Sequence, residues 1–326
     1  MVKKYFDEEW PKEEEMLRLG LEMSRKNKAD RFPTADERWP RGGEVIDDKK
    51  PIRAYCIGNG ESRKGFDLSK LRKTGKIFGC NALYREFMPD VLTSVDHGIM
   101  HEIYHAGVAQ TIPCYFRDWT KVPAMMYDSM LSGGLDKIEV DKIKESGNFI
   151  RENDKNDAQE FVMHGANLKG LVKIKKKTGE VVPENIHHAV LRVSWIQKPD
   201  YSHSLSDIQK PRDLGWACGA SAGFVACEVY KAKEVYLIGH DLYSTNEKVN
   251  NLFAGTEHYV SKDNSPTPAV NWIRQWKAMF DGFQDTTFYK VNNFNDGRDQ
   301  VNGQIEEWKG TKNLFYVDYS TLDNIL

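Results

Sequence analysis

No apolar run in this chain of 326 residues is long enough to cross a bilayer, and its opening stretch, MVKKYFDEEWPKEEE, lacks the apolar centre of a secretion signal. An excess of one charge is missing too. The 46 Lys and Arg against 48 Asp and Glu leave a formal net charge of -2, which argues against a nucleic-acid binder that works by overall positive charge. Cysteine is scarce: five residues, at 56, 80, 114, 218 and 227, with no CxxC. That count and spacing argue against a four-cysteine zinc site and for reduced, buried thiols. They point to a cytoplasmic protein. Internal repeats and low-complexity tracts are absent as well. What is present is a globular composition, 40% hydrophobic, 29% charged and 11% aromatic with eight Trp. The length suits one large domain, or one domain carrying an insertion.

Residues 1–50 are charged and dotted with proline. They are expected to form an N-terminal arm, with an amphipathic helix over Glu13–Lys28 carrying Met16, Leu19 and Met23 on one stripe. From Arg53 the pattern changes. Short apolar runs, AYCIGNG, KIFGCNALY, DVLTSVD and TIPCYF, alternate with segments of ten to fifteen residues. This spacing predicts βαβ units: an α/β, Rossmann-like fold, mostly a parallel sheet flanked by helices, over residues 51–326. Residues 118–210 read as an insertion on the acceptor side, with helix fragments and loops over 118–165. A β-hairpin is expected around Lys177-Thr178-Gly179, and a strand over 189–196. A small-residue helix from Cys218 then leads into a strand ending at Gly239. The polar stretch 244–268 reads as a lid. A helix over AVNWIRQWKAMFDGF and two closing strands, TTFYKVNNF and LFYVDYS, complete the domain.

The candidate chemistry sits at the ends of these strands, where parallel α/β sheets bind ligands. Gly58-Asn59-Gly60-Glu61-Ser62 follows the first strand. Its glycines allow close backbone approach, its amides can meet a phosphate, and Asn59 can pair with a base and a sugar. Neither GxGxxG nor GKS/T is present. Asn81 ends the second strand and Asp96 the third, so both would face the same crevice. Gly219-Ala220-Ser221-Ala222-Gly223 opens a helix whose first amides suit an anion. Asp241 and Tyr243 follow a later strand. His258 and Tyr259 lie in the expected lid, where a histidine can take a proton at neutral pH. Each admits a structural role as well: tight turn, helix cap, close packing or exposed side chain.

Two further features compete. His101-Glu102-Ile103-Tyr104-His105 is a literal HExxH, which on a helix could hold zinc with Glu102 as general base, though no third ligand is convincingly spaced. Lys173, Lys175, Lys176 and Lys177 could touch acceptor phosphates or form a solvated face.

Taken in order, IGNGES, FGCNALY and GASAGFVACEVYKAKEVYLIGHDLY resemble the sialyltransferase-like glycosyltransferases that use CMP-activated sugars and their uncharacterised, partly phage-borne relatives. More distantly, they resemble hydroxymethylpterin diphosphokinase-like proteins. The resemblance covers roughly residues 53–97 and 215–290. It implies a nucleotide site in which Asn59 and Asn81 hold the cytidine nucleotide, with Gly58, Gly60 and Ser62 shaping the loop. It places Gly219 to Gly223 against ribose and phosphate, Tyr243 and Tyr259 near the phosphate, and His258 as general base. The transfer it implies inverts the anomeric centre and needs no metal or other cofactor beyond the nucleotide-sugar donor. His240, the HEIYH segment and the lysine hairpin depart from the family pattern.

The expected function is therefore an inverting glycosyltransferase taking a sugar from a nucleotide sugar, CMP-linked by preference, to an acceptor hydroxyl. That acceptor is a glycan, a lipid-linked sugar or a modified DNA base. The alternatives are a diphosphokinase with Mg²⁺ on Asp96 and Asp241, a zinc hydrolase on HEIYH, and a nucleotide-binding protein without catalysis. Homo-oligomerisation stays open.

Overall fold

A computed structural model describes residues 52–132, 149–150, 153–165, 172–174, 181–183, 191–209, 214–244, 247–292 and 304–326. The expected arm over 1–50, with its helix, lies outside these residues. In chain order the first half holds β1 (Arg53–Ile57), β2 (Lys76–Cys80), β3 (Val91–Ser94), α1 (His97–His105) and β4 (Cys114–Phe116). There follow β5 (Val122–Pro123), α2 (Tyr127–Ser132), β6 (Phe149–Ile150), β7 (Glu160–Gly165), β8 (Val172–Ile174), β9 (Val181–Pro183) and β10 (Leu191–Trp195). The second half holds β11 (Ser202–Ser204), α3 (Leu205–Ile208), α4 (Cys218–Phe224), β12 (Glu234–Ile238), α5 (Val270–Gly282), β13 (Thr287–Asn292), β14 (Leu314–Asp318) and α6 (Tyr319–Ile325). α4 runs on as a π turn over Val225–Val229.

Eight strands form one sheet in the order β11-β4-β3-β2-β1-β12-β13-β14, and every pairing in it is parallel. The expected α/β fold is thus present. From β1 the chain steps outward through β2, β3 and β4, then returns to lay β12 on the other side of β1. The sheet therefore reverses direction between β1 and β12, and the loops leaving these two neighbours open a crevice at their carboxyl ends.

Burial on both faces explains why these strands read as nearly continuous apolar runs. On one face, Ala54, Cys56, Phe78, Val235, Leu237 and Phe288 pack under α4 and α5, which contribute Ala222, Trp276, Met279 and Phe280. On the other, Tyr55, Ile57, Ile77, Tyr236 and Ile238 meet Leu68, Leu71, Leu83 and Leu322. Each large apolar side chain so enclosed contributes about 1.5–3 kcal/mol. Towards the β4 edge, α1 lays Ile99, Met100, Ile103 and Tyr104 on Leu92, Cys114 and Phe116. α1 stops where Gly107 takes φ +75°, letting its amide reach the Tyr104 carbonyl. All five cysteines are free and buried, as expected.

Residues 118–165 depart from the expected helices and loops. α2 is helical, but β5, β7, β10 and β6 form a second sheet in that order. β7 and β10 pair antiparallel over five residue pairs, Leu191 facing Gly165 and Trp195 facing Phe161. The partners lie far apart in sequence and β5 and β6 are two residues long, so no local periodicity announces them. β11 returns to the edge of the main sheet beside β4. β8 and β9 pair antiparallel where the hairpin was expected. Its lysines at 175–177 lie outside the described residues.

Candidate functional site

A cleft of about 710 Å³ opens at the carboxyl ends of β1 and β12, within the usual size range of small-molecule sites. Gly58, Asn59, Gly60, Asn81, Asp96, Gly219, Ala220, Asp241, Tyr243 and Tyr259 all line it. The first three strand ends, the start of α4 and the loop after β12 therefore converge on one space.

The loop after β1 is built against the loop after β12. The Gly58 amide donates to the Ile238 carbonyl (2.7 Å) and the Gly60 amide to the Gly239 carbonyl (2.8 Å). A Cβ on Gly58 would stand 2.5 Å from the Gly239 oxygen, and one on Gly60 2.5 Å from the Asp241 carboxylate. These glycines are there because two backbones touch, and their amides serve that contact. The expected phosphate cradle at Gly58 and Gly60 is corrected on this point. Ser62 turns away from the cleft in the same cause: its amide (2.9 Å) and its hydroxyl both donate to Asp241. With both oxygens held by Ser62 and a residue exposure of 5%, Asp241 is a brace between loops more than a metal ligand.

Asn59 is differently placed. Its Nδ2 donates to the Cys80 carbonyl (3.3 Å) and the Tyr259 hydroxyl (3.4 Å), while its Oδ1 is buried without a hydrogen-bond partner among the described residues. A buried acceptor left open costs roughly 1–3 kcal/mol, which a ligand N–H or O–H would recover. Tyr259 also accepts from the Ala82 amide (3.2 Å), so one phenol ties the ends of β1 and β2 together. Asn81 sits at φ +48°, a conformation asparagine tolerates, and its Oδ1 accepts from the Ser94 hydroxyl (2.9 Å). Leu242, at φ +60°, also lines the cleft. Leucine rarely adopts that backbone, and such strain gathers at ligand sites.

α4 begins at the cleft. Its N-cap, Ala217, offers no side-chain cap, so the first-turn amides of Cys218, Gly219 and Ala220 have no partner within the helix. Ser221 and Gly223, expected here, are instead packed away. Ser221 is fully buried with its hydroxyl towards the Trp216 carbonyl (3.4 Å), and Gly223 lies against the Trp276 ring. Asp96 occupies the N-cap position of α1 without capping it, leaving the carboxylate at the cleft wall.

Three contributors were missed. Arg117 directly follows β4, lines the cleft and donates to the Trp216 carbonyl. The strand-end rule used for Asn81 and Asp96 would have found it. Gln275 receives the Ala217 amide (2.9 Å), anchoring the start of α4. His240, 7% exposed, stands edge-on to Trp276 with its Nε2 unpartnered among the described residues, and burial pushes its imidazole down to about 3.

His258 does not line the cleft. Its ring, 16% exposed, lies against Gly98 at the start of α1, with Nε2 3.3 Å from Glu102. Burial and the Arg192 charge depress its proton affinity below the ordinary imidazole value. Its position before the NWIRQW helix gave its place in sequence but not its direction; at φ +66° the backbone turns the ring towards α1.

The HEIYH segment is helical, yet its donors are engaged elsewhere. His101 Nδ1 contacts the Ser194 hydroxyl (2.6 Å) and its Nε2 contacts His164 Nδ1 (2.7 Å). His105 Nε2 meets the same Ser194 oxygen (3.1 Å), and His164 Nε2 donates to the Asp118 carbonyl (3.0 Å). That last bond fixes the tautomers: His105 donates to Ser194, Ser194 to His101, and His101 to His164. Glu102 points the other way, to Tyr84 and to two nitrogens of Arg85 (2.7 and 2.6 Å). HEIYH thus builds a hydrogen-bonded core between α1 and the small sheet, and the zinc-hydrolase arrangement is corrected. Among the described residues, the grouping with metal-ligand spacing is Glu102, Glu257 and His258, where Arg85 already neutralises Glu102.

In comparisons with family models, curated proteins and solved structures, the chain matches none.

Proposed function

We propose that the cleft between β1 and β12 binds a nucleotide sugar, CMP-linked by preference, and that the protein transfers the sugar to an acceptor hydroxyl. The observation that carries this reading is the meeting of the open, buried Asn59 Oδ1 with the first-turn amides of α4 and the Arg117 guanidinium in one cleft. An acceptor atom suits an amino group of the base or a ribose hydroxyl. Amides and a guanidinium suit the phosphate. Trp272 and Trp276 add aromatic surface to the same walls.

In the transfer, the acceptor oxygen attacks the anomeric carbon as its proton passes to a base. The bond from that carbon to the phosphate oxygen breaks, and the nucleotide leaves with the electron pair. Asp96 is the better-placed proton acceptor, because it lines the cleft and caps nothing, whereas His258 faces Glu102. The α4 amides and Arg117 stabilise the charge that grows on the leaving phosphate.

Calorimetric titration with CMP, UMP and GMP tests the site, with CMP expected to bind best. Absence of binding by all three up to millimolar concentration refutes the reading. Asp96→Asn should then abolish turnover of a CMP-sugar while leaving CMP affinity within about twofold.

A further inference from the structure

The small sheet holds a half-buried cation, Arg192, whose only opposing charge among the described residues is the exposed Glu257. β10 alternates, so Arg192 and Ser194 share a face. That face looks at α1, because Ser194 meets both His101 and His105 there. Arg192 stands opposite His164 in the β7–β10 register, and His164 stacks on His97 with ring centroids 4.1 Å apart. The guanidinium thus enters a space walled by imidazoles from α1, from β7 and from the loop that carries His258. Its Nη1 is buried without a hydrogen-bond partner among the described residues.

The electrostatics agree with the geometry. The Arg192 charge lowers the proton affinity of His97, His101, His164 and His258 alike. Burial lowers that of Arg192 itself, opposed by Glu257, a side chain 72% exposed. Glu102, the carboxylate that could neutralise this corner, is held by Arg85 and Tyr84. A guanidinium nitrogen buried with no acceptor is unfavourable, and a bound oxyanion would supply one.

We propose that Arg192, with His97 and His258, forms a second subsite that takes the carboxylate or phosphate group of an acidic acceptor. The word acceptor rests on the proposed transferase reading; the oxyanion site does not. Its place fits a second substrate. His97 follows Asp96 and His258 precedes Tyr259, and both of those neighbours line the nucleotide cleft. Arg192 comes from the segment between β4 and β11, outside the strands that carry the nucleotide-binding loops. A planar guanidinium offers paired N–H groups to two oxygens, and each imidazole adds one ring N–H.

The test uses the full chain and follows histidine ring signals by NMR at pH 7 while inorganic phosphate or malonate is added, with and without saturating CMP. The expected result is a saturable shift at His97, His164 and His258, with a Kd on the order of 1 mM that CMP leaves in place. Arg192→Met should abolish the shift, and Arg192→Lys should weaken it roughly tenfold. Because the methionine variant removes a half-buried charge whose Nη1 has no acceptor among the described residues, its Tm should equal or exceed that of the parent. Absence of a saturable shift in the parent protein overturns the subsite, as does undiminished anion binding in Arg192→Met. Failure of CMP to bind while the anion still shifts these histidines removes the transferase reading and leaves the oxyanion site. CMP binding without the anion shift does the reverse.

Discussion

Asp241, at the exit of β12, accepts both the amide and the hydroxyl of Ser62, in the turn that follows β1. Two strands that are neighbours in space but about 180 residues apart in sequence are thus clasped at the point where the sheet reverses. Asp241→Ala should cost about 2–3 kcal/mol, because it leaves the Ser62 groups unpaired in a half-buried place. Urea unfolding measures that loss. CMP affinity should fall with it, since Gly60 and Asn59 ride on the same loop.

Tyr259 makes a second prediction. Its hydroxyl receives the Ala82 amide and contacts Asn59 Nδ2. Tyr259→Phe keeps the ring and deletes the bridge. Stability should drop by about 1–2 kcal/mol, and CMP should bind several-fold more weakly because Asn59 loses one of its two anchors. Equal CMP affinity in the two proteins would show that Asn59 is fixed by the Cys80 carbonyl alone.

Much of this site was legible because parallel strands end in the residues that face the crevice. Asn59, Asn81 and Asp96 were found by that rule, and Arg117, one residue past β4, obeys it as well. The rule does not tell a binding amide from a structural one. Gly58 and Gly60 read as a phosphate loop, yet their amides cross to Ile238 and Gly239, a contact set by a strand far away in sequence. The role of HEIYH stayed hidden for a related reason. Its helix and its histidine stripe were both visible, but their partners Ser194 and His164 sit on strands whose pairing is not local.

The histidine chain gives a pH prediction. His164 is pushed down to about 4 by burial, with His97 adding to the shift, and His101 is held well below its ordinary value for the same first reason. An unfolded histidine titrates near about 6.5, so the unfolded state takes up protons before the native state does. Stability from these groups is complete above about pH 6.5 and is lost as pH falls towards about 4. For His164 the loss approaches about 3 kcal/mol. The groups facing it are His97 and His101 of α1, Arg192 of β10 and the Asp118 carbonyl. Urea midpoints measured between pH 7.5 and pH 4.5 should fall steeply in the parent and less steeply in His164→Gln. Equal slopes would mean that His164 titrates alike folded and unfolded.

Two glycines of α4 separate binding from packing. A Cβ on Gly223, itself outside the cleft lining, would stand 2.7 Å from the ring of Trp276, a core side chain whose edge also borders the cleft. A Cβ on Gly219 would stand 2.6 Å from His240 Cε1, at the cleft floor and beside an α4 amide. Gly223→Ala overpacks a well-filled interior and should lose about 1–3 kcal/mol, with CMP affinity falling only about two- to threefold because it reaches the cleft through the Trp276 ring alone. Gly219→Ala displaces a ring that borders the ligand and should weaken CMP tenfold or more, on the order of 1.4 kcal/mol, for a smaller loss of stability. Calorimetry and urea unfolding on both variants resolve the contrast. If Gly219→Ala binds CMP as the parent does, the first turn of α4 does not meet the nucleotide.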